Sequence, residues 1–68
     1  MEQLMYRPAE AARMLGVGRT IVFRLIKTGR LRSVKLGGNR FISADALRAF
    51  VRELEQEASS HADVEVAG

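Results

Sequence analysis

With 68 residues, the chain is long enough for one domain with a small hydrophobic core. The absence of cysteine excludes disulfides and thiolate metal sites, and the single histidine, His61, lies in a polar C-terminal segment where we expect solvent rather than a ligand. Residues 1–52 contain all eleven Lys and Arg and three acids, a net charge of +8, whereas residues 53–68 contain five acids and no base, a net charge of −5. The basic body predicts a polyanionic partner, although composition alone does not exclude an ordinary soluble surface.

The opening Met-Glu-Gln-Leu lacks the basic patch and apolar run of a signal peptide. No apolar stretch approaches the roughly 20 residues that span a bilayer. We therefore expect a soluble protein of the cytoplasm with no membrane partner.

The first predicted elements are a short edge strand at Leu4-Met5-Tyr6 and a helix of about two turns that Pro8 begins and Gly16 ends. One face of this helix is formed at i, i+3, i+4 and i+7 by Pro8, Ala11, Ala12 and Leu15. A second helix is predicted at Arg19–Thr28, with Gly18 as its N-cap and Gly29 after its end. Two short helices joined by a tight, glycine-bearing turn are the helix-turn-helix arrangement.

After Leu31 the hydrophobic period changes to that of strands, and Gly37-Gly38-Asn39 predicts a β-hairpin with a loop of two or three residues. The register depends on that loop length. We expect Val34, Leu36 and Ile42 to point inward, and Lys35 and Arg40 to point outward.

A third helix is predicted after Ser43, which we expect to cap it, with Asp45 near its positive N-terminus. Its apolar stripe at i, i+3, i+4 and i+7 is Leu47, Phe50, Val51 and Leu54. The predicted domain covers residues 1–58, and residues 59–68 have no useful period and are predicted to form a disordered tail. The predicted core is Ala12, Leu15, Val22, Leu25, Ile26, Val34, Leu36, Ile42, Leu47, Phe50, Val51 and Leu54.

This core leaves a basic surface on the second helix, formed by Arg19, Thr20, Phe23, Arg24 and Lys27. Basic residues on a helix are usually a solvated face, but no acid lies between Glu10 and Asp45 to pair with them. An unneutralised basic face is expected where phosphates provide the neutralising charge. Phe23 fits a half-buried core position as well as it fits a DNA contact.

The hairpin repeats the pattern, because Lys35 and Arg40 flank a slim Gly-Gly-Asn tip that can follow a DNA backbone or enter a minor groove. Arg40 is the stronger candidate for a DNA contact and Asn39 the weaker one, since the tip residues also have a purely structural role in the turn. No histidine, cysteine or carboxylate pair in the predicted folded part has an arrangement suited to catalysis. We therefore expect a protein that binds double-stranded DNA and is associated with the nucleoid, with no enzymatic activity, no metal and no cofactor.

The spacing typical of helix-turn-helix motifs is present at Ala12, Gly16, Val22 and Leu25. The runs Tyr6–Leu31 and Val34–Leu47 resemble the excisionase-type, MerR-like winged helix-turn-helix family, and the resemblance covers about residues 4–54. It implies a mainly α fold with a small β-hairpin, that is, three helices plus a wing. It places the recognition helix at Arg19–Thr28 and the wing at Val34–Ile42.

Members of that family include phage and integrative-element excisionases, which bind arrays of short sites, bend the DNA and direct an integrase, of the tyrosine or serine type, towards excision. The chain departs from the family at Arg7 and Gly18, where Ser or Thr caps are common, and at Ile21, where a polar residue is common. The cap changes should cost under about 1 kcal/mol each, and Ile21 can contact a thymine methyl.

Excisionase is favoured because the chain is little more than the DNA-binding module, whereas ligand-sensing MerR-like regulators carry a long dimerisation helix and an effector domain. A single module binds weakly, so we expect head-to-tail self-association on DNA, with Glu53, Glu55 and Glu57 meeting the basic surface of the next protomer. A small transcriptional regulator of the same fold stays open, as does an antitoxin-like or adaptor module that binds protein.

Overall fold

The computed structural model describes residues 3–60, and this part of the chain forms three helices and three short strands, as the winged helix-turn-helix prediction requires. In chain order these are β1 (Met5–Tyr6), α1 (Pro8–Leu15), α2 (Arg19–Lys27), β2 (Val34–Leu36), β3 (Asn39–Ser43) and α3 (Ala44–Ser60). The last helix passes the predicted domain limit of residue 58 by two residues, and the rest of the predicted tail, residues 61–68, lies outside the described residues.

The ends of α1 form as the sequence predicts. Pro8 occupies the first helical position, and the backbone N–H of the N-cap residue Arg7 donates to the Glu10 carboxylate at 2.9 Å. At the other end Gly16 adopts a left-handed conformation, φ 78°, and its N–H and that of Val17 both donate to the Ala12 carbonyl. This pattern terminates the helix and leaves only a short turn before α2.

The C-terminus of α2 directs the following loop back into the core. Thr28 is the C-cap, one residue beyond the helix, and its hydroxyl donates to the Arg24 carbonyl at 2.9 Å. After Gly29 (φ 82°) the backbone N–H of Leu31 donates to the Leu25 carbonyl at 3.1 Å. Leu31 is only 1% exposed, so a residue that the sequence analysis left out of the core is one of its most deeply buried members.

The hairpin turn contains two residues. Gly37 and Gly38 both have positive φ, 59° and 84°, which is the combination that a type I′ turn needs and that glycine adopts without strain. Asn39 therefore belongs to β3, where it pairs with Leu36. The order of the sheet is β1-β3-β2, and β1 is an edge strand as predicted.

This register overturns the predicted inward positions of Val34 and Leu36. Residues paired across strands share one face of a sheet, so Val34, opposite Phe41, and Leu36, opposite Asn39, lie on the face away from Ile42. Ile42 is fully buried, whereas Val34 is 49% and Leu36 63% exposed. The two-residue loop reverses the alternation that the sequence analysis had assumed. Lys35 and Arg40, predicted on the face opposite Ile42, therefore lie on the same face as Ile42, although both are exposed.

The first half of α3 is buried and the second half is not. The Ser43 hydroxyl accepts the Ala46 N–H at 3.0 Å, as expected of an N-cap, and Leu47 and Phe50 are buried. The predicted burial of Val51 and Leu54 is wrong, because α3 packs chiefly on β3 and its later turns extend beyond the core. Every side chain described from residue 51 onward is exposed.

One long-range contact holds this projecting part of α3. The Arg30 guanidinium lies 2.9 Å from a carboxylate oxygen of Glu57 and 5.8 Å from the centre of the Phe50 ring. The loop after α2 is thereby connected to both halves of α3. Because the ion pair is exposed, we expect it to contribute at most about 1 kcal/mol.

The core joins α1, α2, the hairpin and α3. Its buried cluster consists of Ala11, Ala12, Val22, Leu31, Ile42, Leu47 and Phe50. Half-buried side chains that pack against this cluster are Tyr6, Leu15, Leu25, Ile26 and Ala46. The predicted inward face of α2, which is Val22, Leu25 and Ile26, is thus confirmed, and it fixes which side of α2 faces solvent.

Candidate nucleic-acid interface

The exposed side of α2 carries the residues that the sequence singled out. Val22 is fully buried on the opposite side of the helix, which leaves exposed Arg19, Thr20, Phe23, Arg24 and Lys27. Arg19, Phe23 and Lys27 recur every four residues and therefore lie along one stripe, with Arg24 beside it. Thr20 joins Arg19 in the first turn.

The N-terminal end of α2 carries uncompensated positive charge. Its N-cap, Gly18, has no side chain to accept a hydrogen bond, and the first turn of the helix contains no acidic residue. The N–H groups there and the positive end of the helix dipole favour an anion. The Arg19 guanidinium adds a full charge at the same end, so this part of the surface is suited to phosphate or to acceptor atoms of bases.

The basic side chains of this face lack acidic partners. Among residues 3–60, the ion pairs are Arg30 with Glu57 and Arg48 with Asp45, and neither includes a residue of the α2 stripe. Arg30, although close in sequence, is neutralised by Glu57 and is not part of the stripe. Arg24 and Lys27 are therefore exposed cations whose charge remains available to an external polyanion.

The hairpin brings Lys35 and Arg40 together and separates Asn39 from them. Lys35 lies directly opposite Arg40 in the register, whereas Asn39 pairs with Leu36 and lies on the other face. Like charges directly opposite each other destabilise a sheet unless an anion lies nearby. The Arg40 guanidinium donates to the Ser33 hydroxyl at 2.9 Å, which orients it on this face.

Two basic residues that the sequence analysis did not include also lie at the surface. Arg7, treated there only as a cap position, places its guanidinium 5.7 Å from the centre of the Phe41 ring. Arg32 is exposed in the loop between α2 and β2 and forms no ion pair with a described residue. The contact of Arg7 joins residues 34 positions apart, so no local sequence pattern indicates it.

Phe23 is 51% exposed and is not a core residue, which removes one of its two interpretations. We expect Phe23→Ala to change the free energy of unfolding by less than about 0.5 kcal/mol, as for other surface substitutions. The affinity of the Phe23→Ala variant for DNA should fall, because an exposed aromatic ring inside a basic stripe is placed to contact DNA. Chemical denaturation and a DNA titration measure the two quantities. A large loss of stability with unchanged affinity would return Phe23 to the core.

The described residues contain no group of three or more acidic or histidine side chains close enough to hold a metal ion. Within the same part of the chain no helix is both long and apolar enough to cross a membrane. The chemistry that the surface offers is the binding of a polyanion by cations on a helix and on a hairpin.

The structure combines two short helices around a tight turn, an exposed basic face on the second helix, and a basic hairpin. This combination defines a helix-turn-helix DNA-binding domain. The family model described as "Helix-turn-helix domain" matches residues 5–55. The chain is also similar to an excisionase of Streptomyces ambofaciens, with 43% identity over 56 residues that cover 82% of this chain and 89% of the relative. No solved structure gives a significant match. The protein belongs to the excisionase-type helix-turn-helix family, whose members are DNA-binding proteins and not enzymes.

Proposed function

We propose that the protein is an excisionase that binds adjacent sites in attachment DNA cooperatively, bends that DNA and directs an integrase of the tyrosine or serine type towards excision. The observation that carries the proposal is the basic face of α2, which forms no ion pair within residues 3–60 and includes a positively charged helix N-terminus without a side-chain cap. The excisionase of Streptomyces ambofaciens, similar over most of both chains, supports the choice of this function among those that bind DNA.

In the proposed complex α2 is the recognition helix. Its nine residues are about 13 Å long, and the major groove of DNA, about 12 Å wide, admits an α-helix. Arg19 and Thr20 lie in the first turn, the part of a recognition helix that reaches base edges. Arg24 and Lys27 follow one and two turns later, where they contact phosphates. Ile21, 39% exposed beside them, is placed to touch a thymine methyl.

The wing adds contacts with the backbone. Its turn is formed by two glycines, so no side chain limits how closely the tip approaches the DNA. Lys35 and Arg40 share one face and supply two charges to phosphates beside a minor groove. Asn39 lies on the other face and is the weakest of the proposed contacts.

The first experiment is a salt-dependent titration on attachment-region DNA, with wild type compared with Arg24→Ala. We expect wild-type binding to weaken steeply with salt, and the variant to lose about 1–3 kcal/mol of binding free energy. Arg13→Ala is the matched control, because Arg13 is also exposed but lies on α1 outside the basic stripe. The control should bind as wild type does.

If Arg24→Ala binds as tightly as wild type, or if wild type does not bind, the α2 face is not the DNA surface. The surface would then be one for protein contact, as in an adaptor module. Tight, single-site binding to promoter DNA with none to attachment DNA would instead indicate a transcriptional regulator with the same fold. Measuring both DNAs in the same buffer separates these outcomes.

Cooperative binding requires contacts between neighbouring protomers, because one such module buries only about 600–1,000 Å² on DNA. The sequence analysis considered Glu53, Glu55 and Glu57 for head-to-tail contact with the basic surface of the next protomer. Glu57 already forms an ion pair with Arg30 of its own chain. Glu53 and Glu55 form no ion pair with a described residue and are the ones available.

We expect Glu53→Gln combined with Glu55→Gln to reduce cooperativity on DNA with several sites, while affinity for a single site is unchanged or slightly higher. Gel-shift titrations on one-site and three-site DNA measure the difference. Glu57→Gln is the control and should leave cooperativity unaltered. Unchanged cooperativity in the double variant would remove these acids from the interface.

A further inference from the structure

The C-terminal end of α1 and the middle of α3 form an apolar groove that takes no part in the proposed DNA contacts of α2 and the hairpin. It has a volume of about 400 Å³. Its apolar side chains are Met14, Leu15, Leu47 and Val51, and its charged rim is Arg48, Arg52 and Glu55. Met14 is 57% and Val51 39% exposed, so the described residues leave this apolar surface open.

Apart from Asp45, which lies near the positive N-terminus, the charges of α3 are segregated against the dipole of the helix, with the bases first and the acids after them. Asp45, Arg48 and Arg52 lie in its first half, whereas the following turns contain Glu53, Glu55 and Glu57 and no base. An acidic side chain in the last turn of a helix is unfavourable by about 0.3–1 kcal/mol near the surface, and Glu57 lies in that turn. Arg30 offsets this for Glu57. Glu55, at the rim of the groove, has no such partner among the described residues.

The rim of the groove is complementary to itself. Arg48 and Glu55 are seven residues apart and therefore lie on one side of α3, about 10 Å from each other, with Val51 between them. If a second α3 packs antiparallel against this side of the first, Glu55 of each helix lies over Arg48 of the other. An interface related by a two-fold axis repeats each contact twice, so a stripe of this kind can pair with itself.

We propose that a second copy of the chain docks in this groove, with the two α3 helices antiparallel and Val51 close to the two-fold axis. Arg48 and Arg52 of each protomer then lie near Glu55 of its partner, and Met14 and Val51 are covered. None of the groove residues belongs to α2 or to the hairpin, so the dimer leaves the proposed DNA surface free.

The dimer forms without DNA, whereas the head-to-tail contact between neighbouring protomers forms on DNA. Glu55 belongs to both proposed contacts, so a given Glu55 serves one of them at a time and the two contacts are alternatives. A small patch gives a weak dimer. Its two recognition helices are related by a two-fold axis, so each dimer matches an inverted repeat, whereas head-to-tail contacts match direct repeats.

Sedimentation equilibrium of the full chain without DNA, from about 10 to 500 μM, tests this association. The weight-average mass should rise with concentration from 7.5 kDa towards about twice that value. We expect Glu55→Arg and Arg52→Glu each to weaken self-association about tenfold, which corresponds to about 1.4 kcal/mol. The double charge exchange should restore association to within a few-fold of wild type. Glu53→Arg makes the same change on another side of α3, in a different cleft. This variant should have wild-type self-association.

A mixture of isotope-labelled and unlabelled wild-type protein gives a second measurement that needs no variant. Intermolecular nuclear Overhauser effects should join the Val51 methyls of one copy to Val51 and Met14 of the other. A constant mass of 7.5 kDa at every concentration, no recovery in the charge exchange, or an equal loss in Glu53→Arg would overturn the dimer. Binding of Glu55→Arg to a single DNA site should be no weaker than that of wild type, so failure of the dimer is distinguishable from failure of the proposed DNA surface.

Discussion

Leu31→Ala is expected to lower the free energy of unfolding by about 2–5 kcal/mol, the range for removing a large buried aliphatic side chain. Leu31 is 1% exposed and belongs to the cluster with Val22, Ile42 and Phe50. A domain of this size has only a few kcal/mol of stability, so the variant should be partly unfolded at 25 °C. Urea denaturation followed by circular dichroism measures the change.

Leu36→Ala makes the same chemical change where the side chain is 63% exposed, and it should alter stability by less than about 0.5 kcal/mol. The contrast between the two leucines tests the path of the loop after α2 and the register of the hairpin together. Equal effects at the two positions would show that one of these features is wrong.

Replacing both Lys35 and Arg40 by alanine is expected to remove two phosphate contacts from the proposed complex. The slope of log affinity against log salt should fall in magnitude by about 1.8, at about 0.9 per phosphate on duplex DNA. Affinity should drop roughly uniformly for matched and mismatched DNA sequences, because contacts with the backbone do not read bases. Titrations at four or more salt concentrations give the slope.

The double substitution removes a repulsion between opposite residues of the hairpin and also the exposed hydrogen bond from Arg40 to Ser33, so the stability of the free variant should change by less than about 0.5 kcal/mol. Reduced affinity therefore cannot be attributed to unfolding. Val34→Ala, on the other face of the same strand, is the matched control and should keep the wild-type slope. A double variant with the wild-type slope would show that the wing does not contact the DNA backbone.

The helix ends were predictable from the sequence because their determinants are local. Pro8 begins α1, Gly16 ends it, and Ser43 caps α3. All three act through contacts within a few residues along the chain. The inward face of α2 was likewise predictable from its period. The basic surface followed from the same pattern, because residues excluded from a correctly assigned inward face must face solvent.

The hairpin shows where local patterns stop being sufficient. Gly-Gly-Asn fits a loop of two or of three residues, and a change of one residue exchanges the faces of every strand residue. Val34 and Leu36 were therefore assigned to the wrong side, and the pairing of Lys35 with Arg40 on one face, away from Asn39, became visible only with the register.

The remaining differences between the predicted and the observed core depend on contacts between residues that are distant in sequence. Leu31 lies in a loop without any period, and its burial follows from the turn that brings its N–H to the Leu25 carbonyl. Val51 and Leu54 continue a good helical stripe, but a period shows only that one side of a helix is apolar. Whether that side meets its own domain or another molecule depends on the length of the elements packed against it.

The position of β1 has a consequence for how the protein folds during synthesis. Met5 pairs with Ser43 and Tyr6 with Ile42, so the first strand of the chain is completed by the last strand of the sheet. The pair of helices, α1 and α2, depends on neighbouring segments and can form early, whereas closing a loop of almost forty residues is slow and entropically unfavourable. The sheet therefore cannot close until β3 has left the ribosome, and a nascent chain that stops before residue 43 lacks both the complete sheet and part of the core.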